Sequence, residues 1–242
     1  MMLGEVAQAF AALDRLAADG GPVEVAQVGP DGANMRAAIL VSLGELEAAD
    51  AINLGELEAA RAAHLSPQLE ATLIGLGESR LAAGGRRSAM RYSGEAVRAR
   101  VAPYPFRWQQ VGRSRLLRGR LELAGGQIER ALAEARDLIA DSTRSGDAVR
   151  AVAARLLEAE VLATSGAGID TTAVGKVLNR AEEVLGAEAW RISARLARLT
   201  GNAGWEALAE RQLEHVIQGS GSHATALRAF AQSHRERPSS TS

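Results

Sequence analysis

Apolar residues in this 242-residue chain recur mostly at three- and four-residue intervals, the spacing of one face of an α-helix. The amino-terminal stretch MMLGEVAQAFAALDRLAADGG has this pattern. In the next clear segment Ser66 is placed to cap a helix with Pro67 in its first turn, followed by Leu69, Leu73, Leu76 and Leu81. Returning helices are predicted with Ala89, Tyr92, Ala96 and Val97 inward, from about Trp108 to Ala124, and from Gln127 to Ala140. Further helices are expected from Gly146-Asp147 through Ala163, over about 173–185, and in the pair AEAWRISARLARLT and WEALAERQLEHVIQ. A last one runs from near His223 to Glu236. Residues 20–33 (GGPVEVAQVGPDGA) read as a loop with room for a short extended piece.

The helical pattern breaks at regular places. Leu43-Gly44, Gly84-Gly85, Gly125-Gly126, Ser165-Gly166 and Thr200-Gly201 interrupt it at intervals of about 40 residues, the last nearer 35. Glycine ends a helix because it adopts left-handed backbone angles without a Cβ clash. The motif LGELEAA occurs at Leu43 and again at Leu54, so either Gly44 or Gly55 can serve as the first turn; the period favours Gly44. Self-similarity on this scale predicts an all-α fold, a right-handed α-solenoid of about five helical hairpins. The expected division is a helix and loop over 1–33, repeats over 34–218, a capping helix over 219–236 and a disordered tail over 237–242.

Only 3% of the residues are aromatic, which suits close-packed helices rather than strands. There is no cysteine, so disulfides, thiolate metal sites and a cysteine nucleophile are excluded. No stretch approaches the roughly 20 apolar residues of a membrane span, and the amino terminus lacks the basic start of a secretory signal; a cytoplasmic location is the expectation. The net charge of −1 conceals an uneven distribution. Residues 1–79 hold three arginines against twelve carboxylates, whereas residues 80–120 hold eleven arginines against Glu95 alone.

Small residues around the breaks resemble the tetratricopeptide repeat (TPR). That family places a small residue about seven before the turn glycine, an alanine five after it and another seven further on. Gly77, Gly84, Ala89 and Ala96 match this pattern; Gly119, Gly126 and Ala131 match it with Leu138 in the last slot; Trp190, Ala194 and Gly201 match its tryptophan, small residue and turn. The helices are longer than the family's consensus. The long, Ala/Arg-rich repeats are similar to the carboxy-terminal arrays of MalT-type and LuxR-type ATP-dependent transcriptional regulators and related signalling ATPases, over about residues 34–218. The resemblance implies a non-catalytic protein-interaction module in bacterial signalling or transcriptional control, or else an effector-sensing array.

Catalytic and cofactor motifs are missing. Gly175-Lys176 lacks the upstream glycine of a phosphate loop, and neither GAGIDT nor GSGSHA completes a dinucleotide fingerprint. His64, His215, His223 and His234 are dispersed, so neither a metal nor a cofactor is expected, and the chain reads as a non-enzyme. In the TPR register Arg113 and Arg120 share one face of a first helix, and Arg191, Arg195 and Arg198 share a face of another. Guanidinium forks pair with carboxylates, so these five are the candidate partner-binding residues, for an acidic peptide or acidic protein surface. Arginines that simply solubilise outer faces are the plainer reading. A third reading lets the acidic front pack on the basic band, within one chain or by self-association. The band Arg80–Arg120 with Tyr92, Tyr104, Phe106 and Trp108 allows a weaker reading as a nucleic-acid binder, against an overall charge that is not basic and no base-reading motif.

Overall fold

The computed structural model describes residues 6–19, 22–100 and 107–236. Among these residues the regular structure is helical: α1 (Val6–Asp19), α2 (Pro22–Leu43), α3 (Leu46–Ala62), α4 (Ser66–Ala82), α5 (Arg86–Ala99), α6 (Arg107–Ala124), α7 (Ile128–Ser145), α8 (Ala148–Thr164), α9 (Thr171–Leu185), α10 (Ala189–Thr200), α11 (Ala203–Gly219) and α12 (Ala224–Glu236). Short 3-10 turns at Gly186–Glu188 and Gly221–His223 precede α10 and α12. The expected tail at 237–242, and Tyr104 and Phe106 of the basic band, lie outside the described residues.

The turns show why the chain reverses where it does. Gly44, Gly84, Gly126, Gly166 and Gly201 all have positive φ, from 67° to 86°. At the first, Gly44 N–H donates to Val41 O at 3.2 Å and Glu45 N–H to Leu40 O at 2.9 Å. This is the Schellman arrangement, which satisfies the last carbonyls of α2 and aims the chain back. Gly44 is thus the first turn, and Gly55 lies inside α3 with open space around it. The connections from α3 to α4 and from α7 to α8 use the same device at His64 and Gly146, and Gly186 and Gly221 also have positive φ.

Two local expectations change. Residues 22–33 form the start of α2 rather than a loop, with Pro22 in the first position, where its missing N–H costs nothing. The helix continues through Pro30, which removes one backbone hydrogen bond without ending it. Ser66 is not the cap of α4: Leu65 occupies that position without a side-chain bond, and Ser66 and Pro67 are already inside the helix. The left-handed His64 makes the turn that sets this start.

The helices pair as α2–α3, α4–α5, α6–α7, α8–α9 and α10–α11, an all-α solenoid of hairpins packed in chain order. The first helices of the pairs, α2, α4, α6, α8 and α10, also touch one another in sequence and form an inner row. An inner helix therefore has neighbours on most sides. In α4 every residue from Glu70 to Gly77 is buried, and in α8 most residues from Ala151 to Val161 are.

A small residue stands seven positions before each turn glycine of the five hairpins: Ala37, Gly77, Gly119, Ala159 and Ala194. At Gly77 and Gly119 successive inner helices approach closely. A Cβ on Gly77 would lie 2.6 Å from Leu117 Cδ2 of α6, and one on Gly119 would lie 2.6 Å from Leu157 Cδ2 of α8. The three small residues picked out by sequence spacing, Gly77, Gly119 and Ala194, thus belong to a row of five.

The row does not remain open. The Gly186–Glu188 turn touches α2, α1 touches α11 and α12 touches α2. Val6, Phe10, Leu40 and Leu43 from the beginning share one core with Trp190, Val216, Leu227 and Phe230 from the end. Phe230 packs onto Gly44, where no larger residue fits, and meets Trp190 edge-on at 6.3 Å between ring centroids. His223 Nδ1 contacts the Glu45 carboxylate across the same seam. The segment expected to cap the array fastens its last hairpin to its first.

Candidate functional site

The inner row carries a chain of charges. Arg113 on α6 forks onto Glu78 of α4, with Nη2 donating at 2.6 Å and Nε at 3.4 Å. Arg191 on α10 donates to Glu188 Oε1 at 2.8 Å, and Arg120 of α6 stands 4.0 Å from the other oxygen of that carboxylate. Arg195 of α10 pairs with Glu160 of α8 at 3.1 Å. Charges from α4, α6, α8 and α10 and from the turn before α10 are therefore paired across neighbouring elements.

Glu188 is the hub. Burial pushes its carboxyl up, but Arg120, Arg191 and Arg113 together outweigh that and hold it below the usual carboxylate range. Burial weakens the hold of Arg191 on its proton, Glu188 strengthens it and the nearby Arg120 opposes it, leaving Arg191 lowered. Arg113 is burdened by burial too, yet Glu78 raises it above its ordinary value. The helix packing positions all of these groups: Gly186 has a positive φ of 58°, so the chain turns sharply out of α9 and delivers Glu188 to the α6 and α10 arginines.

All five arginines expected to face a partner lie on first helices of their hairpins, Arg113 and Arg120 on α6 and Arg191, Arg195 and Arg198 on α10. Four of them pair with carboxylates of their own chain. Arg198 donates from Nη1 to the main-chain oxygen of His234 at 2.7 Å, near the end of α12. Arg195 keeps 48% of its side chain exposed, while Arg113, Arg120 and Arg191 keep less. Glu188, Glu78 and Glu160 are the intrachain partners of these arginines that sequence reasoning missed. Glu188 three residues before Arg191 was the one local signal; Arg113–Glu78 and Arg195–Glu160 join residues 35 positions apart and Arg120–Glu188 residues 68 apart, beyond the reach of helical spacing.

The basic band is likewise matched within the chain. Arg80 pairs with Asp50 at 2.8 Å, and Arg100 with the buried Glu70 at 2.6 Å. Arg115 bridges Glu134 and Asp141, and Arg118 shares Glu134. The acidic front thus contributes Asp50, Glu70 and Glu78 to the arginines of 80–120, which leaves less of the band's charge available to phosphates.

Two clefts open on the surface. One, of about 420 Å³, lies between α10 and α11 beside the end of α12, with Arg191, Ala194 and Arg198 on one side and Glu206 and Glu210 on the other. The second, shallower and about 570 Å³, lies where α6, α7 and the start of α8 meet; there Arg150 stacks 5.0 Å above the exposed Trp108 ring. Among the described residues no group of three or more His, Asp or Glu is placed to hold a metal ion, and no helix is long and apolar enough to cross a membrane. In comparisons with known protein families, curated proteins and solved structures, nothing matches this chain.

Proposed function

We propose that this chain is a non-catalytic protein-interaction module of the TPR type, serving bacterial signalling or transcriptional control and recognising an acidic peptide or acidic protein surface. The observation that carries this reading is the convergence of arginines from α6 and α10 on a few carboxylates of the inner row. A guanidinium offers five donors, and Arg195 uses one of them on Glu160 while half of it faces solvent. An incoming carboxylate can share such an arginine without breaking the helix packing beneath it. The small-residue rhythm and long Ala/Arg-rich helices are the support for the TPR and MalT/LuxR-like context.

The test is capture of partners from a bacterial lysate by the intact chain and by Arg195→Glu. Arg195 is exposed enough for the variant to keep its fold, checked by circular dichroism. The expected result is loss of the captured partner on reversal, with partial retention in Arg195→Lys. Equal capture by wild type and Arg195→Glu rejects the arginine-centred reading.

A further inference from the structure

The outer helices of the first two hairpins carry opposite charges on their exposed faces. On α3 Glu47, Leu54 and Glu58 fall in one row, with Ala51 and Gly55 beside them, all exposed. Leu54 keeps 39% of its surface free, and a Cβ on Gly55 would meet nothing within 4 Å. On α5 the exposed row is Arg87, Arg91 and Arg98, flanked by Met90 and Val97, which are 50% and 48% exposed. Charges that reach one another within the chain are paired, as Arg80 is with Asp50 and Arg61 with Glu95. Among the described residues the side chains of Glu47, Glu58, Arg87 and Arg98 enter no ion pair or hydrogen bond.

The repeat puts these two rows in register. Glu47 and Arg87 each stand three residues after a turn glycine, Gly44 and Gly84; Leu54 and Gly94 stand ten after, Glu58 and Arg98 fourteen after. α3 and α5 run in the same sense, since each returns from the inner helix of its hairpin, and the Arg61–Glu95 pair at 3.3 Å bridges them. A two-fold axis lying between them, along the helix direction, places α3 of one copy over α5 of another at equal height. Glu47 then meets Arg87 of the second copy, and Glu58 meets Arg98. Leu54 drops onto Gly94, where no side chain stands in its way. The operation makes each contact twice, as an isologous interface requires.

We propose that the exposed faces of α3 and α5 form a self-complementary surface through which two copies of this chain pair about a two-fold axis, acidic α3 on basic α5 and the reverse. A second copy presents the opposite charge to both halves of the patch, at the spacing and height its own repeat sets. Leu54, Met90 and Val97 give the contact an apolar centre, and the charges select the register. Two helices side by side present about 500 Å² per copy, from ~1.5 Å of rise per residue and ~10 Å between axes. The pair buries about 1,000 Å² in all, the size of a weak, concentration-dependent association. The surface belongs to the outer helices and does not depend on the reading of the inner-row arginines.

Sedimentation velocity of the full chain at low ionic strength, from about 1 to about 100 µM, tests it. The 25.4-kDa chain is expected to move to twice its mass across this range. Arg98→Glu sets like charges against Glu58 of the second copy, and Glu58→Arg does the same against Arg98. Each variant alone should dimerise at least tenfold more weakly. Both side chains are exposed and unpaired, and circular dichroism as in wild type checks that the variants fold. An equimolar mixture of the two restores opposite charges at both contacts, so it should recover the dimer, as should one chain carrying both changes. A wild-type chain monomeric at about 100 µM overturns the proposal. So does a dimer that Arg98→Glu leaves intact, or a mixture of folded variants that stays monomeric. Masses that climb past the dimer overturn the closed two-fold pairing.

Discussion

Glu188 concentrates the electrostatics of the interior in one carboxylate. Burial alone would favour its protonated form, and three arginines reverse that preference. Because its pKa is lower in the folded chain than in the unfolded one, its contribution to stability is fully present above the unfolded value of about 4.3 and disappears as pH falls through the depressed folded value. Glu188→Gln should therefore lower stability at neutral pH by about 2 kcal/mol, since Arg191 and Arg120 lose their charged acceptor. The wild-type advantage should shrink as the solution is acidified below pH 4. Urea unfolding of both proteins at neutral and acid pH measures this; an advantage that is flat with pH contradicts the assignment. The role of Glu188 was hard to read from sequence because its partners lie three and sixty-eight residues away, and only the nearer one leaves a local trace.

At the scale of elements, the turn glycines share a backbone conformation but not their surroundings. Gly44 and Gly126 both have positive φ, 82° and 72°, so alanine at either costs about 1 kcal/mol in backbone strain. Gly126 has open space around it, whereas a Cβ on Gly44 would run into the Phe230 ring. Gly44→Ala should thus destabilise the chain by clearly more than Gly126→Ala, by about 2 kcal/mol or more beyond the shared strain. Thermal melts of the two variants side by side decide it, and equal losses would mean that Phe230 yields freely. The positions of Gly44 and Gly126 were legible in the sequence, since a helix must stop somewhere and glycine stops it well. The helix at 22–33 was not, because Gly29, Pro30 and Gly32 are turn residues by local preference and the packing of α2 against α3 and α4 overrides them. The small residues were legible at Gly77 and Gly119, where the spacing is regular. What they touch required the inner row to be seen.

Across the whole molecule, the seam between the ends distinguishes this solenoid from an open one. Phe230 is its keystone, buried against Gly44 from the first hairpin and Trp190 from the last. Phe230→Ala should cost about 3 kcal/mol through the cavity it leaves. It should also loosen the ring, seen as a larger radius of gyration in solution scattering at unchanged helix content. A variant equally unstable but unchanged in size would place the role of Phe230 in local packing alone. The closure had no signature in the sequence. Val6, Phe10, Leu227 and Phe230 look like ordinary amphipathic positions of terminal helices, and nothing in their spacing says that they meet.

That meeting has a consequence for how the chain comes apart. In a linear array each hairpin is held only by its neighbours, so the outermost units have one interface instead of two and unravel first. Here α2 and α3 have a neighbour behind them as well as ahead, supplied by residues nearly two hundred positions away. No hairpin is outermost. The domain loses the graded, end-first fraying of a stack and gains the all-or-none unfolding of a ring that must break before any member can leave.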